Sequence, residues 1–84
     1  MKTKEIQKGA FVQYKCIIDA GDETARFIIA EDYGDGRVLV KELTSLTAFG
    51  FSTYTRLESD FKLITDNKEI ARLKKIIETT ITPF

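Results

Sequence analysis

The sequence has no histidine and only one cysteine, Cys16. The chain therefore cannot form an internal disulfide or a Cys/His zinc site, and acid–base catalysis by histidine is excluded. No other pairing of a nucleophile with a base stands out in the sequence. We predict a non-enzymatic protein with no catalytic residue, no cofactor and no metal site. Cys16 falls on the apolar face of a predicted strand, so we expect it to be a buried structural thiol.

The sequence also lacks a long apolar segment and an excess of charge of either sign. No window reaches the roughly 18 to 20 apolar residues of a membrane span, and the first residues do not resemble a signal peptide, so we predict a cytoplasmic protein. Lys plus Arg and Asp plus Glu number 13 each, so the overall charge favours neither nucleic acid nor an anionic membrane. Acids are nevertheless concentrated in residues 19–35, and bases in residues 2–15 and 68–75.

Length and apolar patterning predict a single, mainly β domain with one helix near the C-terminal end. The 84 residues are enough for one compact domain and too few for two. Short runs of β-branched and aromatic residues, several with period-2 alternation, indicate strands. The predicted strands cover residues 10–18, 25–31, 37–43, 47–56 and 61–64, with Gly50 marking a bend in the fourth.

Two glycines, Gly34 and Gly36, raise the question of a phosphate-binding loop. Such a loop needs a helix directly behind it, so that backbone N–H groups and the helix dipole converge on the anion. Here Gly36 is followed by the strand-like run RVLVKEL, and nearby carboxylates would repel phosphate. The stretch YGDG therefore predicts a tight hairpin, because glycine and aspartate tolerate a positive φ. A weak cation site on Asp32 and Asp35 is the alternative.

The C-terminal helix is predicted over residues 67–78. Asp66 stands three residues before Glu69, which is the spacing of a capping box. Apolar residues then recur at helical spacing, at Ile70, Leu73 and Ile77. This stripe either covers an open end of the chain's own barrel or docks on a partner. We favour the first alternative, because the short connection after the last strand keeps the helix close to the barrel.

Five short strands, a hairpin between the second and third, and a one-turn element before the last resemble the Src-homology-3-like small barrel. The resemblance is carried by KGAFV at residues 8–12, by YGDGRVLV and by LESDFKLI, and it spans residues 8–64. It implies a five-stranded barrel that serves as a binding module, and it does not select a ligand. The absence of tryptophan argues against an aromatic groove for proline-rich peptides.

Aromatic side chains near the hairpin and the fourth strand are the main candidates for partner binding. Alternation places two phenylalanines on one face of that strand and Tyr54 on the other, and one small barrel cannot hold rings from both faces in its interior. We therefore predict a protein-interaction module or accessory subunit whose partner is another protein or a second copy of itself. The predicted partner-binding residues are Tyr33, Phe49, Phe51, Tyr54, Arg56, Arg72 and Lys75.

A nucleic-acid-binding barrel is the second hypothesis. Basic side chains would then contact phosphates, and Tyr54 or Phe51 would stack on bases. The basic residues concerned are Arg37, Lys41, Arg56, Arg72, Lys74 and Lys75. The two hypotheses differ in whether these bases converge on one surface of the folded protein.

Overall fold

The order of strands and helix predicted from the sequence is confirmed. The computed structural model describes residues 6–18, 20–47 and 50–81. The elements are β1 (Phe11–Tyr14), β2 (Phe27–Asp32), β3 (Arg37–Thr47), β4 (Gly50–Leu57), a 3₁₀ turn (Glu58–Asp60), β5 (Phe61–Leu63) and α1 (Asn67–Ile81). Among the described residues, no helix has the length and apolarity that a membrane span requires.

The five strands form one antiparallel sheet in the order β4-β3-β2-β1-β5. The last strand returns to the first, because Val12 of β1 pairs with Phe27 of β2 on one side and with Leu63 of β5 on the other. Within the described ranges no ladder joins β4 to β5, so the sheet has two edges. A mainly β fold with one C-terminal helix is therefore confirmed.

One face of the sheet carries three packed aromatic rings, Phe27 and Phe61 buried and Tyr14 partly buried, which we call the ring core. Tyr14 stacks on Phe61 with ring centroids 5.4 Å apart, and it meets the edge of Phe27 at 5.1 Å. Phe27 and Phe61 are themselves 5.3 Å apart in an edge-to-face arrangement. Buried aliphatic side chains surround the rings, namely Val12, Ala25, Ile29, Val38 and Val40. Alternate residues of β1 to β3 therefore point to this face, as period-2 patterning predicts.

The opposite face of the sheet is covered by α1 through a second cluster, the helix core. Leu73 is fully buried there against Phe11, Leu43 and Ile64. Partly buried side chains complete the cluster, namely Ile28, Phe51, Ile70, Ile76 and Ile77. The apolar stripe of the helix thus covers its own sheet, which is the first of the two predicted alternatives. Full burial of a side chain such as Leu73 stabilises the fold by about 2 kcal/mol.

Asp66 caps the first turn of α1, but the predicted capping box is only half formed. The Asp66 carboxylate accepts a hydrogen bond from the N–H of Lys68 at 3.0 Å. Glu69, the other member of the predicted box, binds two arginines instead, Arg26 at 3.0 Å and Arg72 at 2.6 Å. The sequence signal therefore located the start of the helix correctly and missed the role of Glu69.

The hairpin predicted at YGDG joins β2 to β3. Gly34 and Gly36 have φ values of +79° and +93°, a region that favours glycine. The carboxylate of Asp32 accepts a hydrogen bond from the Gly34 N–H, and that of Asp35 accepts one from the Arg37 N–H. Across the described part of the chain, no three metal-ligating side chains form a group. Both carboxylates thus fix the turn by accepting backbone hydrogen bonds.

The first strand is shorter than predicted, and the shortening changes the position of Cys16. β1 ends at Tyr14, which pairs with Phe61, the first residue of β5. The N–H of Lys15 donates to the carbonyl of Asp60 at 3.0 Å, and the chain then bends away from the sheet. Cys16 is exposed, so the prediction of a buried structural thiol is wrong. The period-2 alternation of the sequence continues beyond Tyr14, the last residue of β1 that pairs with β5.

Candidate functional site

Tyr54 and Arg56 are the predicted partner-binding residues that the structure brings into direct contact. Both lie on β4 and point to the face of the ring core, because they pair with the buried Val40 and Val38 of β3. The guanidinium carbon of Arg56 lies 4.8 Å from the centroid of the Tyr54 ring, which is a cation–π distance. This contact holds the arginine side chain over the sheet surface.

The other predicted partner-binding residues are spread over the molecule. Tyr33 is half exposed at the β2–β3 hairpin, where the Arg37 guanidinium lies 5.6 Å from its ring centroid. Phe51 packs in the helix core, on the face of β4 opposite to Tyr54, as alternation predicts. Arg72 and Lys75 are exposed on α1. Phe49 lies outside the described residues.

A cleft of about 310 Å³ opens beside Arg56, and we call it the Tyr14 cleft. It lies where the β1–β2 connection passes the 3₁₀ turn and the end of β4. Its lining residues are Tyr14, Lys15, Cys16, Ile18, Asp22, Arg56, Ser59 and Asp60. The volume is at the lower end of the range for ligand pockets, roughly 300 to 1,000 Å³, and suits one or two side chains of a peptide.

The walls of the Tyr14 cleft are held by contacts to the sheet and within the loop. Tyr14 is anchored by its stacking on Phe61 in the ring core. The backbone bond from Lys15 to Asp60 fixes the start of the β1–β2 connection against the 3₁₀ turn. Farther along, the Asp22 carboxylate accepts a hydrogen bond from the Ile18 N–H at 3.1 Å. These contacts therefore fix two walls of the cleft to the rest of the fold.

The surface of the Tyr14 cleft combines exposed apolar groups with balanced charge. Ile18 is 85% exposed, although a branched aliphatic side chain gains free energy when it is removed from water. Lys15 and Arg56 contribute positive charge, and Asp22 and Asp60 contribute negative charge. Within the described ranges Arg56 forms no ion pair. Its Nη1 donates to the carbonyl of Thr55 at 3.2 Å, and the remaining N–H groups of the guanidinium can donate to a carboxylate or carbonyl oxygen of a partner.

Most residues of the Tyr14 cleft were not identified as candidates from the sequence. The residues missed are Tyr14, Lys15, Ile18, Asp22, Ser59 and Asp60. One signal was present, because two consecutive isoleucines, Ile17 and Ile18, interrupt the alternation just before a polar turn. Consecutive apolar residues at a strand end place at least one side chain away from the core face. The other half of the cleft depends on the 3₁₀ turn, which is distant in sequence.

Two ion-pair groups shape the electrostatics outside the cleft. Arg72, and to a smaller extent Arg26, hold the pKa of Glu69 below its ordinary value, and partial burial opposes this effect. At the hairpin, hydrogen bonds from Arg37 lower the pKa of the half-exposed Asp35. Both acids stay ionised in neutral solution, and both groups join neighbouring structural elements. We assign them to the stability of the fold.

The six basic residues of the nucleic-acid hypothesis lie on different surfaces. Arg56 points to the face of the ring core. Lys41 and Arg37 alternate with the inward-pointing Val38 and Val40, so they belong to the opposite face of β3. The remaining three bases, Arg72, Lys74 and Lys75, are exposed on α1.

Comparison of the chain with protein-family models, with curated proteins and with solved structures gives no match.

Proposed function

We propose that this chain is a small non-enzymatic protein-interaction module, and that the Tyr14 cleft holds a short segment of another protein. The observation that carries the proposal is the exposed Ile18 at the rim of a cleft with an aromatic wall. An apolar side chain of the partner would enter between Ile18 and Tyr14, and both surfaces would be removed from water. Arg56 would contact the partner's carbonyl or carboxylate oxygens beside this anchor.

The Src-homology-3-like barrel is part of this proposal. The strand order, the return of β5 to β1 and the 3₁₀ turn before β5 support it. Members of that fold serve as binding modules, and the Tyr14 cleft would be the binding surface of this one. A cytoplasmic location also belongs to the proposal.

Selection from a displayed library of short random peptides on the immobilised full chain tests the proposal. We expect enrichment of sequences with a central apolar residue. The affinity of a selected synthetic peptide should fall at least about tenfold for Ile18→Asp, which corresponds to about 1.4 kcal/mol. Ile17→Asp is the matched control, because Ile17 is 55% exposed and does not line the cleft.

Two results would contradict the proposal. One is a selection that enriches no sequence above an unrelated immobilised protein. The other is a selected peptide that binds Ile18→Asp as tightly as it binds the natural sequence, since the binding surface would then lie elsewhere. Thermal unfolding of both variants shows whether each is folded before its affinity is compared.

The distribution of the basic residues favours protein interaction over the nucleic-acid alternative. The phosphates of a bound nucleic-acid strand contact one surface of a protein, and the binding strength depends on how many basic side chains they contact there. Arg56 lies on the face of the ring core, and Arg37 and Arg72 are held in ion pairs by Asp35 and Glu69. We expect no shift of single- or double-stranded probes by micromolar protein at low salt. A shift that weakens steeply with added salt would instead support the nucleic-acid hypothesis.

A further inference from the structure

The edge strand β4 is the longest open border of the sheet. β4 covers eight residues, Gly50–Leu57, and pairs with β3 on one side. Within the described part of the chain no strand pairs with its other side. The second edge, β5, has only three residues and is bounded by the 3₁₀ turn and the connection to α1. A strand-adding partner would therefore find its longest template on β4.

β4 has few of the features that keep an edge strand from pairing. Its sequence GFSTYTRL contains no proline and no lysine, and Arg56 is its one charged residue. The irregularity in the β3–β4 ladder falls on β3, since Phe51 and Ser52 are adjacent while their partners Leu46 and Glu42 are four positions apart. The extra residues thus belong to β3, and β4 itself runs without a bulge.

We propose that β4 pairs in antiparallel fashion with β4 of a second copy, around a two-fold axis at Tyr54. A two-fold axis perpendicular to the sheet pairs two odd-numbered or two even-numbered residues, and the register centred on Tyr54 pairs seven of the eight strand residues, 51–57. This register places Phe51 opposite the copy's Leu57, Thr53 opposite its Thr55, and Tyr54 opposite its Tyr54. The two five-stranded sheets become one sheet of ten strands.

The side-chain pairs in this register match a second copy of the chain. Aromatic pairs, Thr–Thr pairs and apolar pairs across antiparallel strands each stabilise a sheet. Arg56 lies opposite the copy's Ser52, so no like charges face each other. Leu57, which is 55% exposed, gains a covering phenylalanine. The chain carries zero net charge, so long-range repulsion between copies is small. Roughly six to eight backbone hydrogen bonds form along the strand pair.

Thr53 and Thr55 allow a test that depends on this register, because each is exposed and each faces the other across the pair. In Thr53→Lys/Thr55→Lys, two lysines oppose two lysines of the copy. In Thr53→Glu/Thr55→Glu, glutamates oppose glutamates. Sedimentation of the full-length natural chain over micromolar to millimolar concentration should show a monomer–dimer equilibrium. Each double variant should weaken dimerisation by at least tenfold, and an equimolar mixture of the two should dimerise again.

The control is Thr65→Lys, which adds a lysine at an exposed threonine outside β4 and should leave dimerisation unchanged. Circular dichroism shows that each variant is folded. A natural chain that stays monomeric throughout the concentration range would overturn the proposal. So would a lysine variant that dimerises like the natural chain, or a mixture that stays monomeric. No peptide takes part in this experiment, so its outcome is independent of the function proposed for the Tyr14 cleft.

Discussion

Arg26 and Glu69, which are 43 residues apart in the sequence, meet through a bond of 3.0 Å between Nε and Oε1. The same arginine donates to the carbonyl oxygens of Glu23 and Ala25. A single side chain therefore connects α1 to the end of the β1–β2 connection, the loop that forms one wall of the Tyr14 cleft. Both side chains are partly buried, with 20% of the Arg26 side chain and 22% of the Glu69 side chain exposed.

We predict that Glu69→Gln lowers the free energy of unfolding by about 1 kcal/mol in neutral solution, as expected for a partly exposed ion pair. The folded pKa of Glu69 lies below its ordinary value of 4.5, chiefly because of Arg72. The stabilisation is then complete above that value and is lost as the pH falls through the folded pKa. Urea unfolding at about pH 7 and at acidic pH checks this, and the difference between the two proteins should be smaller at the acidic pH. An equal difference at both pH values would contradict the assignment.

Leu73→Ala should destabilise the protein by about 2 to 5 kcal/mol, because a fully buried leucine leaves a cavity between helix and sheet. That loss is comparable with the total stability of a small domain, about 5 kcal/mol. The neighbouring Lys74→Ala is the control, since Lys74 is exposed and should change stability by less than about 0.5 kcal/mol. Chemical denaturation measures both variants. Similar values for the two would mean that α1 does not pack on the sheet in solution.

Gly36→Ala should cost about 1 to 2 kcal/mol, because alanine is strained at a φ of +93°. The space around the new methyl group is open, so the cost is conformational. Gly21→Ala provides the comparison, since Gly21 also has open space and is not at a positive φ. We expect that variant to unfold at or slightly above the natural midpoint. Equal thermal midpoints for the two alanine variants would refute the hairpin geometry.

Cys16 should react with a thiol reagent in the folded protein, because its side chain is exposed at the Tyr14 cleft. Titration without denaturant is expected to modify one thiol per chain, in agreement with the single cysteine. The rate should be of the same order with and without denaturant. A Cys16 thiol that reacts only after unfolding would show instead that Cys16 is buried, as the sequence predicted. A peptide selected on the cleft should slow the reaction.

Local sequence signals predicted the elements that depend on local physics. The hairpin follows from the glycines at positions 34 and 36, whose positive φ is a property of those residues alone. The start of α1 follows from Asp66, and its buried side follows from the spacing of Ile70, Leu73 and Ile77. In each case the stabilising contacts lie within one turn or one face of an element.

The features that the sequence did not predict depend on distant residues. β1 ends at Tyr14 because β5, about fifty positions later, begins at Phe61. The residues of β1 do not indicate where β5 begins, so their alternation predicted a longer first strand and a buried Cys16. The Tyr14 cleft has the same origin, since its walls come from residues 14–22 and 56–60. The local sequence predicted Glu69 as part of a capping box, but in the structure Glu69 forms a tertiary contact with Arg26 instead.

The position of β1 between β2 and β5 also sets the order in which the chain can fold as it is synthesised. A growing chain can pair β2, β3 and β4 as successive hairpins as soon as each emerges from the ribosome. β1 and the ring core lack Phe61 until residue 61 has been added, and the helix core lacks Leu73 until still later. Such long-range contacts form after local ones. Neither core can therefore close before Phe61 and then Leu73 have been added, and until then the apolar faces of the first four strands are exposed to other chains.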